Sequence, residues 1–142
     1  MAQDFSKKIV IAVRADLPLW QQVNAIAHCS AYLGNKLGEP FDTGEYFATA
    51  DAVSLPRNSQ FAIVALAATS QDLATLAPQV RESGLLHLDF IPEMIETTND
   101  AELEQMIAKK TFAELEHLAI GIFGPKDVLK NLTGHLKLWK GT

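Results

Sequence analysis

The stretch KIVIAVRADLPLWQQVNAIAHCSAYLG, residues 8–34, decides the fold. It opens on Lys8–Arg14, an apolar run with several β-branched residues, which is typical of a strand covered on both faces within an α/β sheet. Pro18 then holds Leu17 in an extended conformation and is itself well suited to the first turn of a helix. The sequence therefore predicts a buried strand, a sharp turn at Asp16–Pro18 and a long helix.

The side chains of this helix separate by face when they are placed 100° apart. We predict that one face packs on the sheet, and its residues are Leu19, Val23, Ile26, Ala27, Ser30, Leu33 and Gly34. Gln22, Ala25 and Cys29 lie roughly opposite, where small side chains would let a second element approach. Cys29 has no evident cationic neighbour, so we interpret it as a small, unreactive apolar residue.

The remaining sequence alternates strands with helices, which predicts a mixed or parallel sheet with helices on both faces. Thr69 and Asp72 are spaced as a capping pair at the start of a helix, and Gly84 suits its end. Pro78 lies inside that helix and should kink or split it. The predicted strands are 61–68, 85–91, 116–123 and 136–139, with a short one near 53–55, and the predicted helices are 71–83, 100–110 and 126–132.

Length and composition indicate one soluble domain. The 142 residues suffice for a single core, and 48% hydrophobic with 20% charged residues is a usual globular mixture. No apolar run is long enough for a membrane span, and the first eight residues lack the apolar centre of an export signal. A single cysteine fits a reducing cytoplasm, and the net charge of −5 argues against broad nucleic-acid binding.

Three helix residues indicate a pocket. Trp20, Asn24 and His28 follow one another at four-residue spacing along the border of the apolar face, close to the end of the first strand. In open α/β sheets, ligands tend to bind beyond the carboxyl ends of the strands. His28 is also suited to act as a base near neutral pH. The alternative is that Trp20 only packs, and that Asn24 and His28 satisfy buried backbone groups.

A polar segment, Thr97–Asp100, follows a strand that ends in proline. Its ordinary interpretation is a helix cap, since Asn and Asp are good capping residues. The functional interpretation is a loop in which Thr98 and Asn99 face the same pocket. The sequence contains no phosphate-binding glycine loop, no hydrolase nucleophile motif and no histidine spacing typical of a metal site, so neither cofactor nor metal is expected.

Several segments resemble a known family. The two ends of the chain are similar to the opening and closing segments of class II peptidyl-tRNA hydrolases. The similar segments are VRADL near the start and, near the end, LAIG, GP and LTGHLKL in that order. DLPLWQQVN, ETTND and IFGPKDVLKNLTGHLKL resemble more closely a bacterial family of unknown function that is related in fold to those hydrolases. The resemblance implies a three-layer α/β/α sandwich with a small mixed sheet, and possible homodimers.

This chain differs from the hydrolases in the loop at the start of the first helix, where those enzymes have functional residues. Those enzymes open the first helix with a loop rich in glycine and lysine, whereas this chain has Pro18–Val23 there, with no lysine until Lys36. Two hypotheses follow. The first is a cytoplasmic module that binds an unknown small molecule or a partner through Asp16, Trp20, Asn24, His28 and the Thr98–Asn99 loop. The second is an ester or amide hydrolase, with His28 as general base and Asp16 or Asp100 as its orienting carboxylate.

Overall fold

A computed structural model describes residues 4–141, so the expectation about the export signal partly lies outside the described residues. The strands are β1 Lys7–Arg14, β2 Tyr46–Ala48, β3 Ser54–Pro56, β4 Ala62–Ala68, β5 Leu86–Phe90, β6 Ala119–Pro125 and β7 Lys137–Leu138. The helices are α1 Leu19–Leu37, α2 Ser70–Ser83, α3 Glu93–Glu96, α4 Asp100–Ala108 and α5 Lys126–Thr133, with a short 3-10 helix at Phe112–Glu114.

Strand β1 lies at the centre of a five-stranded mixed sheet with the order β5-β6-β1-β4-β7. It runs parallel to β4, with Val10 opposite Val64, and antiparallel to β6, with Val10 opposite Ile122. Strands β5 and β7 pair antiparallel to β6 and β4, respectively. The apolar residues of β1 are fully buried, which confirms the strand covered on both faces that the sequence predicts.

Helices cover both faces of this sheet. Val10 and Ala12 point to one side, where they pack in a cluster with apolar residues of α2 and α5. Ile9, Ile11 and Val13 point to the other side, where they pack with α1. The protein is therefore a mixed α/β structure in which the helices form outer layers around one sheet.

Helix α1 packs on the sheet through a different face from the predicted one. Its buried residues are Gln22, Ala25, Cys29 and Leu33. Leu19 and Val23, which we expected inside, are 53% and 51% exposed. The reason is the close approach of the helix to Gly121 of β6, where an added Cβ would lie 2.8 Å from the Cβ of Cys29. Only the face with small side chains fits that distance, so the predicted face was wrong apart from Leu33 and the half-buried Ile26 at its border.

Helix α2 agrees with its sequence signals. The Thr69 side chain accepts from the Asp72 amide at 3.0 Å, and Asp72 accepts from the Thr69 amide at 2.8 Å, which completes the capping box. Gly84 ends the helix with a φ of +71°. The buried residues are the predicted Leu73, Leu76, Ala77 and Val80. Helix α2 nevertheless continues through Pro78 without being split.

Strands β2 and β3 form a separate two-stranded hairpin, with Phe47 opposite Leu55. The sequence predicts a short strand near β3, but it does not predict β2. The large apolar residues of this hairpin are exposed, and they are Tyr46, Phe47, Val53 and Leu55.

Candidate functional site

An open crevice lies beyond the carboxyl ends of the parallel strands β1 and β4. The chain leaves β1 into α1 on one face of the sheet and leaves β4 into α2 on the other face. In doubly wound α/β folds, such a divergence of the chain leaves room for a ligand. Two adjoining cavities of about 570 and 280 Å³ occupy this position. Both are lined by Ala15, Ala67 and Lys137.

The buried amide of Gln22 holds the wall of this crevice in place. Its Nε2 donates to the carbonyl oxygens of Leu17 at 2.6 Å and Ala15 at 3.2 Å, while its Oε1 accepts from Trp139 Nε1 at 2.7 Å. The backbone amide of Trp139 also donates to the Ala65 carbonyl at 2.9 Å. A single glutamine thus ties the turn after β1 to the segment after β7, and a buried amide satisfied in this way rigidifies its surroundings.

The lining of the crevice combines an apolar floor with charged groups. Small alanines form the floor, and Leu138 and Trp139 contribute apolar surface. Lys137, which lines both cavities, and Lys140 supply positive charge, while His135 and Asp72 line the second cavity. This combination suits a ligand with a flat apolar part and an anionic group.

Asp16 lies in the turn beside the crevice, and its carboxylate is already paired. Arg14 Nε and Nη2 donate to its two oxygens at 3.0 and 2.9 Å. The hydrogen bond from Arg14 lowers the pKa of the Asp16 carboxyl below its usual range. The Arg14 side chain is 17% exposed and that of Asp16 is 63% exposed. The arrangement fixes the guanidinium at the end of β1.

His28 stands apart from Asp16 on helix α1. It follows Leu19 by nine residues, which corresponds to about 14 Å along the helix axis. Its ring is exposed and stacks on Phe90, with 5.1 Å between the ring centres and 17° between the planes. The structure therefore does not bring His28 and Asp16 together as base and orienting carboxylate, because Asp16 is paired with Arg14 near the other end of the helix. A catalytic role for either residue stays a prediction.

Trp20 and Asn24 share the same border of α1 as His28, outside the lining of the crevice. Trp20 is 64% exposed, so it is not the packing residue of the alternative interpretation. Asn24 is half-buried, and its Oδ1 has no hydrogen-bond partner among residues 4–141.

Thr98 and Asn99 belong to the start of α4. Asn99 Oδ1 accepts from the Glu102 amide at 2.9 Å, which is the helix cap that the sequence offers as the ordinary interpretation. The amide and hydroxyl of Thr98 donate to Glu102 Oε2 at 3.2 and 3.1 Å. These contacts engage the Thr98 donors and the Asn99 acceptor within the cap itself.

The crevice residues are the ones that sequence reasoning missed. The helical wheel placed Gln22 opposite the face expected to pack on the sheet, and Trp139 was treated only as part of a closing strand. The available signal was the alternating segment LTGHLKL, residues 132–138, which is typical of a strand. This strand pairs with β4, and Trp139 follows it directly, so Trp139 lies beside β4.

The structure also bears on metals and membranes. Within residues 4–141, no group of three His, Cys, Asp or Glu side chains is arranged to hold a metal ion. Over the same range, every helix is too short or too polar to cross a membrane.

Comparison with known proteins gives a family and a fold. No curated protein matches significantly. The chain is similar to a solved structure of a protein of unknown function from Agrobacterium tumefaciens, with 22% identity and a TM-score of 0.82 over 96% of this chain and 100% of the other. At that identity the likeness shows the fold. The model of the DUF2000 family, described as protein of unknown function, matches residues 7–140. This chain therefore belongs to the DUF2000 family.

Proposed function

We propose that this protein binds a small molecule in the crevice beyond the carboxyl ends of β1 and β4. The observation that carries the proposal is the Gln22 amide, which hydrogen-bonds the turn after β1 and the Trp139 indole at once. Such a tie preorganises both walls before any ligand arrives, and preorganisation reduces the cost of binding. The combined volume of the two cavities falls within the usual range for a small-molecule site.

The ligand class follows from the lining. Trp139 and Leu138 offer an apolar surface to a flat ring, and the ammonium groups of Lys137 and Lys140 offer charge to an anionic group. We therefore propose an aromatic or otherwise flat carboxylate, phosphate or sulfate as the ligand. The exposed lysines contribute modest charge attraction, so the ring is expected to supply much of the affinity.

Indole-3-acetate and tryptamine make a suitable pair of probes, because they share one ring and carry opposite charges. The protein contains two tryptophans, so its indole N–H signals in a proton–nitrogen spectrum can be assigned with Trp20→Phe and Trp139→Phe. Indole-3-acetate should move the Trp139 signal and leave that of Trp20 unchanged. Tryptamine should bind more weakly. A double variant, Lys137→Ala with Lys140→Ala, should bind indole-3-acetate several-fold more weakly than wild type.

The same spectrum tests the pocket inferred from sequence. A shift of the Trp20 signal alone would transfer the site to Trp20, Asn24 and His28 and refute the crevice. If neither signal moves with any aromatic anion in a broader panel, the crevice does not bind this class of ligand. A ligand at 100 times its Kd should also stabilise the folded state by about 2.7 kcal/mol, which a thermal shift assay would detect as a higher melting temperature.

We also propose that this chain is related in fold to the class II peptidyl-tRNA hydrolases. The lysine-rich loop of those enzymes is replaced here by Pro18–Val23, so we propose a non-hydrolytic use of a related scaffold. The alternative is hydrolysis of an ester or amide with His28 as base. Release of p-nitrophenol from its acetate by wild type but not by His28→Ala would favour that alternative.

The β2–β3 hairpin favours a second kind of partner, another copy of this chain. Tyr46 and Phe47 are 66% and 59% exposed, and since neighbouring strand residues point to opposite faces, both faces of the hairpin are uncovered. An isolated two-stranded hairpin is only marginally stable in water. We propose that hairpins of two copies cover each other in a homodimer. Light scattering should give twice the chain mass for wild type and the monomer mass for Phe47→Ser, with Val128→Ser on α5 as the control.

A further inference from the structure

A buried histidine lies on the opposite side of the protein from α1, next to the edge strand β5. His117 directly precedes Leu118 at the start of the β6 segment and is 5% exposed. Its Nε2 lies 2.8 Å from Asp89 Oδ1. The other Asp89 oxygen lies 3.3 Å from Arg81 Nη2 and 3.4 Å from His87 Nε2. The Asp89 carboxylate is therefore surrounded by three nitrogen groups.

This environment determines which ring nitrogen of His117 carries the proton. Burial alone would raise the pKa of the Asp89 carboxyl, but the hydrogen bond from His117 and the nearby Arg81 guanidinium help to lower it, so the carboxyl is ionised near neutral pH. An ionised carboxylate only accepts hydrogen bonds, so His117 donates from Nε2. Within residues 4–141, no hydrogen bond engages His117 Nδ1. In the neutral ring, Nδ1 is therefore an open acceptor.

A cavity of about 160 Å³ adjoins this histidine between α2 and the 3-10 helix. Its lining is Ala74, Ala77, Pro78, Phe112, Ala113, Leu115 and His117, so the imidazole is the one polar side chain in it. The Phe112 ring is fixed between the Arg81 guanidinium, 4.6 Å from its centre, and the His117 ring, 5.9 Å away at 74°. The cavity thus has apolar walls around a single polar side chain.

Pro78 leaves one backbone carbonyl near this cavity without its regular helical donor. A proline has no amide hydrogen, so the Ala74 carbonyl four residues earlier lacks its regular helical donor. Ala74 and Pro78 both line the cavity. The proline that the sequence marks as a break in α2 therefore leaves the helix continuous, while the turn beside the cavity misses one hydrogen bond.

We propose that this cavity binds a small one-ring molecule bearing a hydroxyl group, a phenol, which donates its hydrogen bond to His117 Nδ1. The size supports a single ring, because an apolar protein cavity of about 150 Å³ is known to accept benzene. The walls favour an aromatic face, and the acceptor at His117 Nδ1 favours a molecule with a hydrogen-bond donor over a simple hydrocarbon, because a phenol hydroxyl bonded there keeps a partner when it leaves water. This site shares no lining residue with the crevice beyond β1 and β4.

Phenol and toluene form a matched pair of probes, because both have seven heavy atoms and only phenol can donate a hydrogen bond. Titration with phenol should move the His117 ring signals in a proton–carbon spectrum and raise the melting temperature. Toluene should bind at least tenfold more weakly. Assignment of the ring signals uses His117→Gln, and His87→Gln serves as a control that leaves the cavity lining intact.

Ala74→Leu keeps the proposal testable even if His117→Gln fails to fold. Ala74 lies on an exposed part of α2 and also lines the cavity, so leucine there should fill the cavity while retaining the His117–Asp89 pair. Phenol should then no longer move the His117 signals. The proposal is overturned if phenol and toluene bind equally, if phenol binds Ala74→Leu as it binds wild type, or if millimolar phenol leaves the His117 ring unchanged.

Discussion

Replacing Gly121 by alanine tests the observed packing of α1 against strand β6. The added Cβ would lie 2.8 Å from Cys29 Cβ and 3.2 Å from Leu33 Cδ1, and the first of these atoms belongs to the rigid base of a helical residue. Relief to an ordinary carbon contact requires the helix to retreat by about 0.7 Å, and overpacking of this kind costs about 1–3 kcal/mol. Alanine also restricts the unfolded chain, which offsets about 0.4–1 kcal/mol of that loss.

Gly124→Ala is the matched control for this experiment, because it makes the same change in the same strand. Its nearest neighbours are the methyl groups of Leu85 at 3.1 Å, which lie at the tip of a flexible side chain. Neither glycine has a positive φ, so alanine adds no backbone strain at either position. Urea unfolding followed by circular dichroism should show Gly121→Ala to be less stable than Gly124→Ala by at least about 1 kcal/mol. Equal stabilities would refute the packing of Cys29 against Gly121.

Three further predictions concern single side chains. Burial raises the pKa of the Cys29 thiol to about 12, so a thiol reagent at pH 8 should label the unfolded protein and spare the native one; rapid native labelling would contradict this. Thr69→Ala removes the side-chain acceptor of the Asp72 amide and should cost about 1 kcal/mol, whereas Thr75→Ala within the same helix should cost less. Asp89 has a lowered pKa, so its contribution to stability is present above the ordinary pKa of about 4 and is lost as the pH falls through the lower folded value. Between pH 5 and pH 3, wild type should therefore lose more stability than Asp89→Asn, and equal losses would count against the pairing.

The sheet was predictable because each central strand is a continuous apolar run between charges or turn residues. Strand β1 at Lys7–Arg14 and β4 at Ala62–Ala68 are read directly from such runs. Helix α2 was equally readable, since Thr69 and Gly84 are chemically specific to the two ends of a helix.

The orientation of α1 was not predictable from hydrophobicity, because apolar side chains surround much of this helix. Leucine and valine rank as more apolar than alanine and cysteine, which favours the wrong face. What decides the outcome is the distance to Gly121, a residue far along the chain, and only small side chains fit there. Spacing along one helix contains no information about that partner.

The candidate site was hidden for a related reason. Gln22 has the polar side chain of a typical surface residue. In the structure, however, its amide hydrogen-bonds two backbone carbonyls and one indole. The indole belongs to Trp139, 117 residues later, and a contact at that separation leaves no periodic signal in either segment. Conversely, the regular spacing of Trp20 and His28 suggested a joint site on one helix edge, and that site stays a prediction.

The Gln22–Trp139 contact has a consequence for the order in which the protein becomes competent during synthesis. The turn that holds one wall of the crevice leaves the ribosome early, whereas the indole that completes the other wall leaves 117 residues later. A nascent chain can therefore form α1 and begin its central sheet well before it can close the crevice. A ligand held between these walls would distinguish chains that extend as far as Trp139 from shorter intermediates, because the shorter ones lack the indole.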